Sequence, residues 1–219
     1  MYLEYACYDY SLSDEEIKKN LTSAAQLGVE NIALFYSGSS SLLKSFLEEY
    51  PQVKIYCPVD YPYGLADSKS RLFITTQLAK SGIAGIDMVV PAKFIANRKY
   101  DKLRDDIKNN LLVCQENNVT LRYILEYRVF NHETLAKTCQ IFKSLGIDYA
   151  FPSTGHMIDD INDNLIAAKY LHTKSEIKVI CNGNIWTQKQ IDNLKNSNIY
   201  GVRVHYLSSL ELFNKNNKL

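Results

Sequence analysis

Apolar, β-branched and aromatic residues fall along this chain in short runs that alternate with longer stretches of helical period. Runs of strand type occupy positions 3–8, 31–36, 53–58, 85–90, 120–126, 148–151, 177–181 and 200–204. Helical patterns lie between them at 13–27, 40–49, 68–81, 102–117, 132–145, 158–171 and 187–195. The first of these opens on Ser13 with Glu16 three residues on, the spacing of a capping box. Eight strand-and-helix units in sequence, joined by right-handed crossovers, predict a parallel closed (β/α)8 barrel, the TIM-barrel architecture. An open doubly wound sheet is the alternative. At 219 residues the chain is short for such a barrel, so one domain over 1–219 is expected.

Composition narrows the class of protein. Hydrophobic residues make up 46% and charged residues 22%, with a formal net charge of +1, which suits a compact soluble domain. That balance gives no electrostatic reason to expect nucleic acid or an anionic membrane as a partner. No apolar run approaches the roughly 18 residues of a membrane span, and the N-terminus enters directly into an alternating strand pattern, so a cytoplasmic location is expected. The cysteines Cys7, Cys57, Cys114, Cys139 and Cys181 are widely spaced without a Cys-x-x-Cys pair. Neither a zinc site nor a disulfide framework is therefore indicated, and no metal or cofactor is expected. Cys57 and Cys181 end strand runs, where each is either a core residue or a mouth-lining thiol. Among 16 tyrosines, Tyr8, Tyr36, Tyr61, Tyr127 and Tyr206 also sit at strand ends, as pocket walls or amphipathic filler.

In a βα barrel the loops at the C-terminal ends of the strands build the site. The positions at and after those ends are polar here: Asp9, Asp60, Asp87, Lys93, Arg122 and Glu126 in the first five units, then Ser153, Thr154, Asn182, Asn184, Arg203 and His205. Strand alternation puts Lys178, Ile180 and Asn182 on one face, with Val179 and Cys181 on the other. Lys178 is then either a deep inward amine or one snorkelling out at the bottom of the barrel. Asp87 and Arg122, on neighbouring strands, are expected to face each other. They read either as a structural ion pair or as a proton-transfer acid tuned by an arginine, with Glu126 as a second acid or base.

Several segments, in order along most of the chain, resemble the deoxyribose-phosphate aldolase family. Asp148-Tyr149-Ala150-Phe151-Pro152-Ser153-Thr154-Gly155 is similar to that family's Ala-Asp-Phe-Ile/Val-Lys-Thr-Ser-Thr-Gly strand. Asp9-Tyr10-Ser11-Leu12 is similar to its Asp-His-Thr-Leu, and Val59-Asp60-Tyr61-Pro62-Tyr63-Gly64 to its Val-Gly-Phe-Pro-Leu-Gly. The segment from Gly82 to Val89 matches Gly-Ala-x-Glu-Ile-Asp-Met-Val, keeping at Asp87 the aspartate of the aldolase proton relay. The segment from Leu121 to Glu126 resembles Leu-Lys-Val-Ile-Leu-Glu, and the one from Ile180 to Thr187 parallels Lys-Ala-Ser-Gly-Gly-Ile-Arg-Thr.

The resemblance implies the barrel fold and, with it, a class I aldolase site acting on a small carbonyl or sugar phosphate. It also shows what has changed. Phe151 stands where the Schiff-base lysine is expected and Ile180 where a second active-site lysine is expected. Phosphate recognition by Gly-Gly and Gly-x-Ser-Ser loops is altered too: Gly183 remains, while Asn184 and His205 replace glycines. Arg203, His205, Ser208 or Ser209 would then supply anion contacts. Two functions stay open: a lyase-type enzyme of altered chemistry, its imine carried by Lys178 or Lys93, or a catalytically inactive barrel that binds a ligand or another protein. By the same analogy a homodimer is allowed.

Overall fold

The structure is a computed structural model and describes residues 1–35, 40–157 and 160–215. Eight parallel strands close into one barrel in chain order: β1 (Tyr2–Cys7), β2 (Asn31–Leu34), β3 (Lys54–Val59), β4 (Gly85–Val89), β5 (Thr120–Ile124), β6 (Tyr149–Phe151), β7 (Lys178–Asn182) and β8 (Gly201–Val204). The last strand pairs with the first, and the open-sheet alternative is thereby excluded. Tyr36, at the end of the expected second strand, and Ile158, at the start of the expected sixth helix, lie outside the described residues.

The helices are α1 (Asp14–Gln26), α2 (Ser40–Glu49), α3 (Ser68–Ala79), α4 (Ala92–Ala96), α5 (Tyr100–Glu116), α6 (His132–Ser144), α7 (Ile161–Ser175), α8 (Gln188–Lys195) and α9 (Leu207–Lys215). Short polar residues start most of them, as the orphan amides of a helix N-terminus require. Ser13 forms the expected capping box: its hydroxyl accepts from the Glu16 amide at 3.3 Å while Glu16 accepts from the Ser13 amide at 2.8 Å. Thr187 and Gln190 repeat the device on α8, and Asp67, Asn131 and Asp160 cap α3, α6 and α7. The short α4 was not legible as a helix, because a five-residue turn after Pro91 has no period to detect. Among the described residues, no helix is long and apolar enough to cross a membrane.

Two cores result. The larger lies between strands and helices, and it takes in Cys7, Cys57, Cys114, Cys139 and Cys181, all of them buried. Cys57 and Cys181 are therefore packing residues away from the mouth. Burial pushes the Cys57 thiol far up, which leaves it uncharged. The smaller core fills the barrel itself in layers, and strand alternation assigns its members. Tyr2, Glu4, Ala6 and Tyr8 lie on the inward row of β1; Gly85, Asp87 and Val89 on that of β4; Lys178, Ile180 and Asn182 on that of β7.

Candidate active site

The central layer of the barrel is ionic. Glu4 pairs in register with Arg203, and Asp87 with Arg122, so two acids and two arginines enter from β1, β8, β4 and β5 at one height. All four are at most 2% exposed. Arg122 grips Asp87 with two nitrogens, Nε to Oδ1 at 2.6 Å and an Nη to Oδ2 at 3.0 Å, and reaches Glu4 at 2.7 Å. Arg203 donates from Nε to Glu4 at 2.6 Å and closes the ring by donating to Asp87. Tyr2 donates to Glu4 at 2.5 Å and accepts from Arg122 at 2.8 Å.

Formal charges in this tetrad cancel, and each is hydrogen-bonded, the condition under which buried ions are tolerated. Burial alone would push the Glu4 carboxyl up. The attraction of Arg122 and Arg203 outweighs it and holds Glu4 at about 2. Asp87 is gripped by both guanidinium groups, so its lone pairs are committed. Arg203, expected among the mouth residues that contact an anion, is turned inward into this network and is fully buried. Glu4 was missed from sequence, although an acid on the inward row of an otherwise apolar strand was the available signal.

Beside and above the tetrad packs an apolar cluster of Val89, Ile124, Phe151 and Ile180, of which Ile180 pairs with Gly201 and reaches toward the lower end of the barrel. Phe151 and Ile180 are both 0% exposed. The Phe151 ring covers both guanidinium groups, 3.9 Å from Arg203 and 5.0 Å from Arg122. A cation-π stack thus occupies the height at which the resemblance expects a reactive amine.

The mouth layer is aromatic and hydrogen-bonded. Tyr8 packs against Phe35, Tyr61 and His205, with ring centroids 5.0, 5.1 and 5.9 Å away. Tyr61 donates to the Thr154 carbonyl at 3.0 Å. Nε2 of His205 meets Asn182 Oδ1 at 2.7 Å, which fixes that nitrogen as the donor, and Asn182 donates in turn to the Ser153 carbonyl at 3.0 Å. Burial of the ring, with the Arg203 charge beneath it, pushes the His205 imidazole down to about 4. Gly155, at φ +74°, allows this packing, since a Cβ there would lie 2.8 Å from the His205 ring. Trp186 is 60% exposed and takes no part in the plug.

The remaining expected site residues have structural partners or lie outside the barrel. Glu126 accepts from the Thr154 amide at 3.1 Å and its hydroxyl at 2.7 Å, tying the loop after β6 to that after β5. Ser153 is buried and accepts from Asn164 at 2.8 Å. Asp60 caps the amides of Leu65 and Ala66 and bonds Arg71, while Asp9 folds onto Ser11. Asn184 accepts the His205 amide at 2.9 Å, so that backbone donor is not free for an anion. Gly183 packs over Ile161, and Ser208 is exposed. Lys93 is exposed on α4, and Lys178 is exposed at the bottom of β7, its ammonium 5.2 Å from the Tyr149 ring.

No family model matches the chain. A deoxyribose-phosphate aldolase from Clostridium kluyveri is 27% identical over 205 residues, covering 92% of this chain and 90% of the relative. The aldolase QR15 superposes with a TM-score of 0.86 at 20% identity, over 99% of this chain and 96% of that one. A deoxyribose phosphate aldolase from Aeropyrum pernix does so with a TM-score of 0.83 at 14% identity, over 97% and 89%. The chain resembles the deoxyribose-phosphate aldolases in sequence and in fold. Likeness to the solved aldolases is one of fold, carried over nearly the whole chain.

Proposed function

We propose that this aldolase-like barrel does not cleave its ligand through a Schiff base and instead serves as a binding protein for a small hydroxylated or carbonyl compound. One observation carries the reading: every lysine among the described residues is exposed, and the two positions matched to family lysines hold buried Phe151 and Ile180. Imine formation at neutral pH is favoured by an amine that burial or a neighbouring cation activates, and burial activates no lysine among the described residues. Two further features support the reading. Asp87 is held between two arginines, and the mouth above it is filled by Tyr8, Tyr61 and His205.

The test is borohydride trapping. The protein is incubated with deoxyribose 5-phosphate, acetaldehyde and other small carbonyls, reduced, and read by intact mass and peptide mapping. The expected result is unmodified protein. An adduct on Lys93 or Lys178, lost on change to arginine, would overturn the proposal in favour of a relocated aldolase.

A second reading rests on His205. Its neutral imidazole is hydrogen-bonded at the mouth through Nε2, a placement from which the ring could orient a polar group of a substrate. Substrate turnover abolished by His205→Gln, without imine trapping, would establish it.

A further inference from the structure

The end of the barrel opposite the mouth is open where the mouth is filled. A cavity of about 280 Å³ enters from the N-terminal ends of the strands and reaches down to Arg122. It arises in the bottom inward layer, where β4 and β8 contribute Gly85 and Gly201. A Cβ on Gly85 would lie 2.5 Å from the Tyr56 ring, and one on Gly201 would lie 2.6 Å from Tyr2. Both tyrosines therefore need the glycines in order to turn inward, and β4 and β8 contribute no side chain to this layer.

The walls are mostly polar and aromatic, with Ile180 as their apolar member. Tyr2 and Tyr200 stack at 5.3 Å, Tyr149 and Tyr200 meet at 5.2 Å, and Tyr56 covers the Arg122 guanidinium at 3.6 Å. Asn31 and Thr120 add an amide and a hydroxyl to the lining. The rim is cationic. Lys54 begins β3 and Lys178 begins β7, on opposite sides of the closed ring, so the two ammonium groups rise from opposite sides of the opening. Lys178 leans over the Tyr149 and Tyr200 rings, at 5.2 and 5.5 Å. Glu30 is the acid among the lining residues at this rim, and the tetrad beneath is neutral. Branched apolar side chains ordinarily fill the layers of such a barrel, and a tyrosine-walled cavity between two lysines departs from that.

We infer that this basal cavity is a binding site for a small hydroxylated oxyanion, a phosphate monoester or a carboxylic acid, clasped between Lys54 and Lys178 over the tyrosine floor. Its volume is at the small end for ligand sites, which run from about 300 Å³ upward. The inference rests on the binding role proposed above and places the ligand at the bottom of the barrel. Because Tyr2 both lines the cavity and bonds Glu4 and Arg122, an occupant touches the ion network directly.

The experiment is calorimetric and thermal-shift titration of the full chain, at fixed ionic strength, with inorganic phosphate, ribose 5-phosphate and citrate. Wild type is compared with Lys54→Glu/Lys178→Glu and, as a mouth control, Lys93→Glu. All three lysines are exposed, so the variants are expected to fold. The expected result is a saturable rise in melting temperature with at least one compound, at least tenfold weaker in the double variant and unchanged in Lys93→Glu. A response to phosphate alone would identify the anionic group as the recognised element; one confined to ribose 5-phosphate or citrate would identify the organic part. No saturable response to any compound, or an equal response in the double variant, would overturn the site. That failure would leave the trapping result untouched, since trapping reads lysine chemistry and not occupancy of the cavity.

Discussion

Replacing Arg203 by methionine removes one member of the buried tetrad while keeping a long apolar side chain against the Phe151 ring. Glu4 and Asp87 then share Arg122 alone, and the sealed layer carries one uncompensated negative charge. Breaking a buried ion pair from one side costs about 3–5 kcal/mol. In a domain of this size each kcal/mol lowers the melting temperature by about 2–4 °C, so the expected fall is about 6–20 °C at pH 7. The pH dependence is the sharper test. In the wild type the folded Glu4 carboxyl lies at about 2 against an ordinary 4.5, so its contribution is complete above 4.5 and fades as pH falls toward 2. In Arg203→Met burial wins over the single remaining arginine, and one carboxyl retains its proton in the fold. Such a group loses stability as pH rises from its unfolded pKa toward its raised folded one. The two stability curves should therefore converge toward pH 4.5 and separate toward neutrality. Thermal or urea unfolding from pH 4.5 to 8 measures this. A deficit below about 1 kcal/mol at pH 7, or one constant across the range, would refute the account of a closed, neutral tetrad.

Three further outcomes are expected. The His205 ring, held at about 4, should stay neutral by NMR from pH 8 to below pH 5, and its preference for the neutral form makes stability fall as pH drops through 6.5; titration near 6.5 would show the mouth to be open. Glu126→Gln keeps the side chain's shape but removes the charge from the oxygen that accepts both Thr154 donors and turns an amide NH2 toward the Arg128 amide that Oε1 now accepts. A loss of about 1–3 kcal/mol with faster amide exchange at Thr154 is expected, and unchanged exchange would remove Glu126 from the loop's support. Ser13→Ala should cost about 1 kcal/mol in urea unfolding by deleting the α1 cap, and Ser13→Asp should recover most of it.

Period and capping made the barrel legible. Ser13 with Glu16 marked a helix start, and strand alternation placed Lys178, Ile180 and Asn182 on one inward row. The pairing of Asp87 with Arg122 was also readable, because an arginine in a buried strand demands an acid. The other half of the tetrad was not, since Glu4 and Arg203 lie 199 residues apart and meet only through barrel closure. The aromatic plug was legible only in part for the same reason: Tyr8 and Tyr61 stand out at strand ends, but their meeting with Phe35 joins three different βα units. Loop hydrophilicity misled as well. Glu126, Asp60 and Asn184 looked like free site groups, yet each is spent on a backbone amide, a use that spacing cannot distinguish from ligand binding.

The bond from Arg203 to Glu4 has a consequence for how the chain comes together. During synthesis Glu4 emerges in the first strand, Asp87 in the fourth and Arg122 in the fifth, while the second arginine arrives only with the eighth. Until then the assembling sheet holds two carboxylates against one guanidinium, so closing over its interior would bury net charge or leave one acid protonated. The final strand thus brings the charge that balances the interior. Closure is tied to contacts of the longest range in the molecule, which places this barrel among slow, late-committing folders.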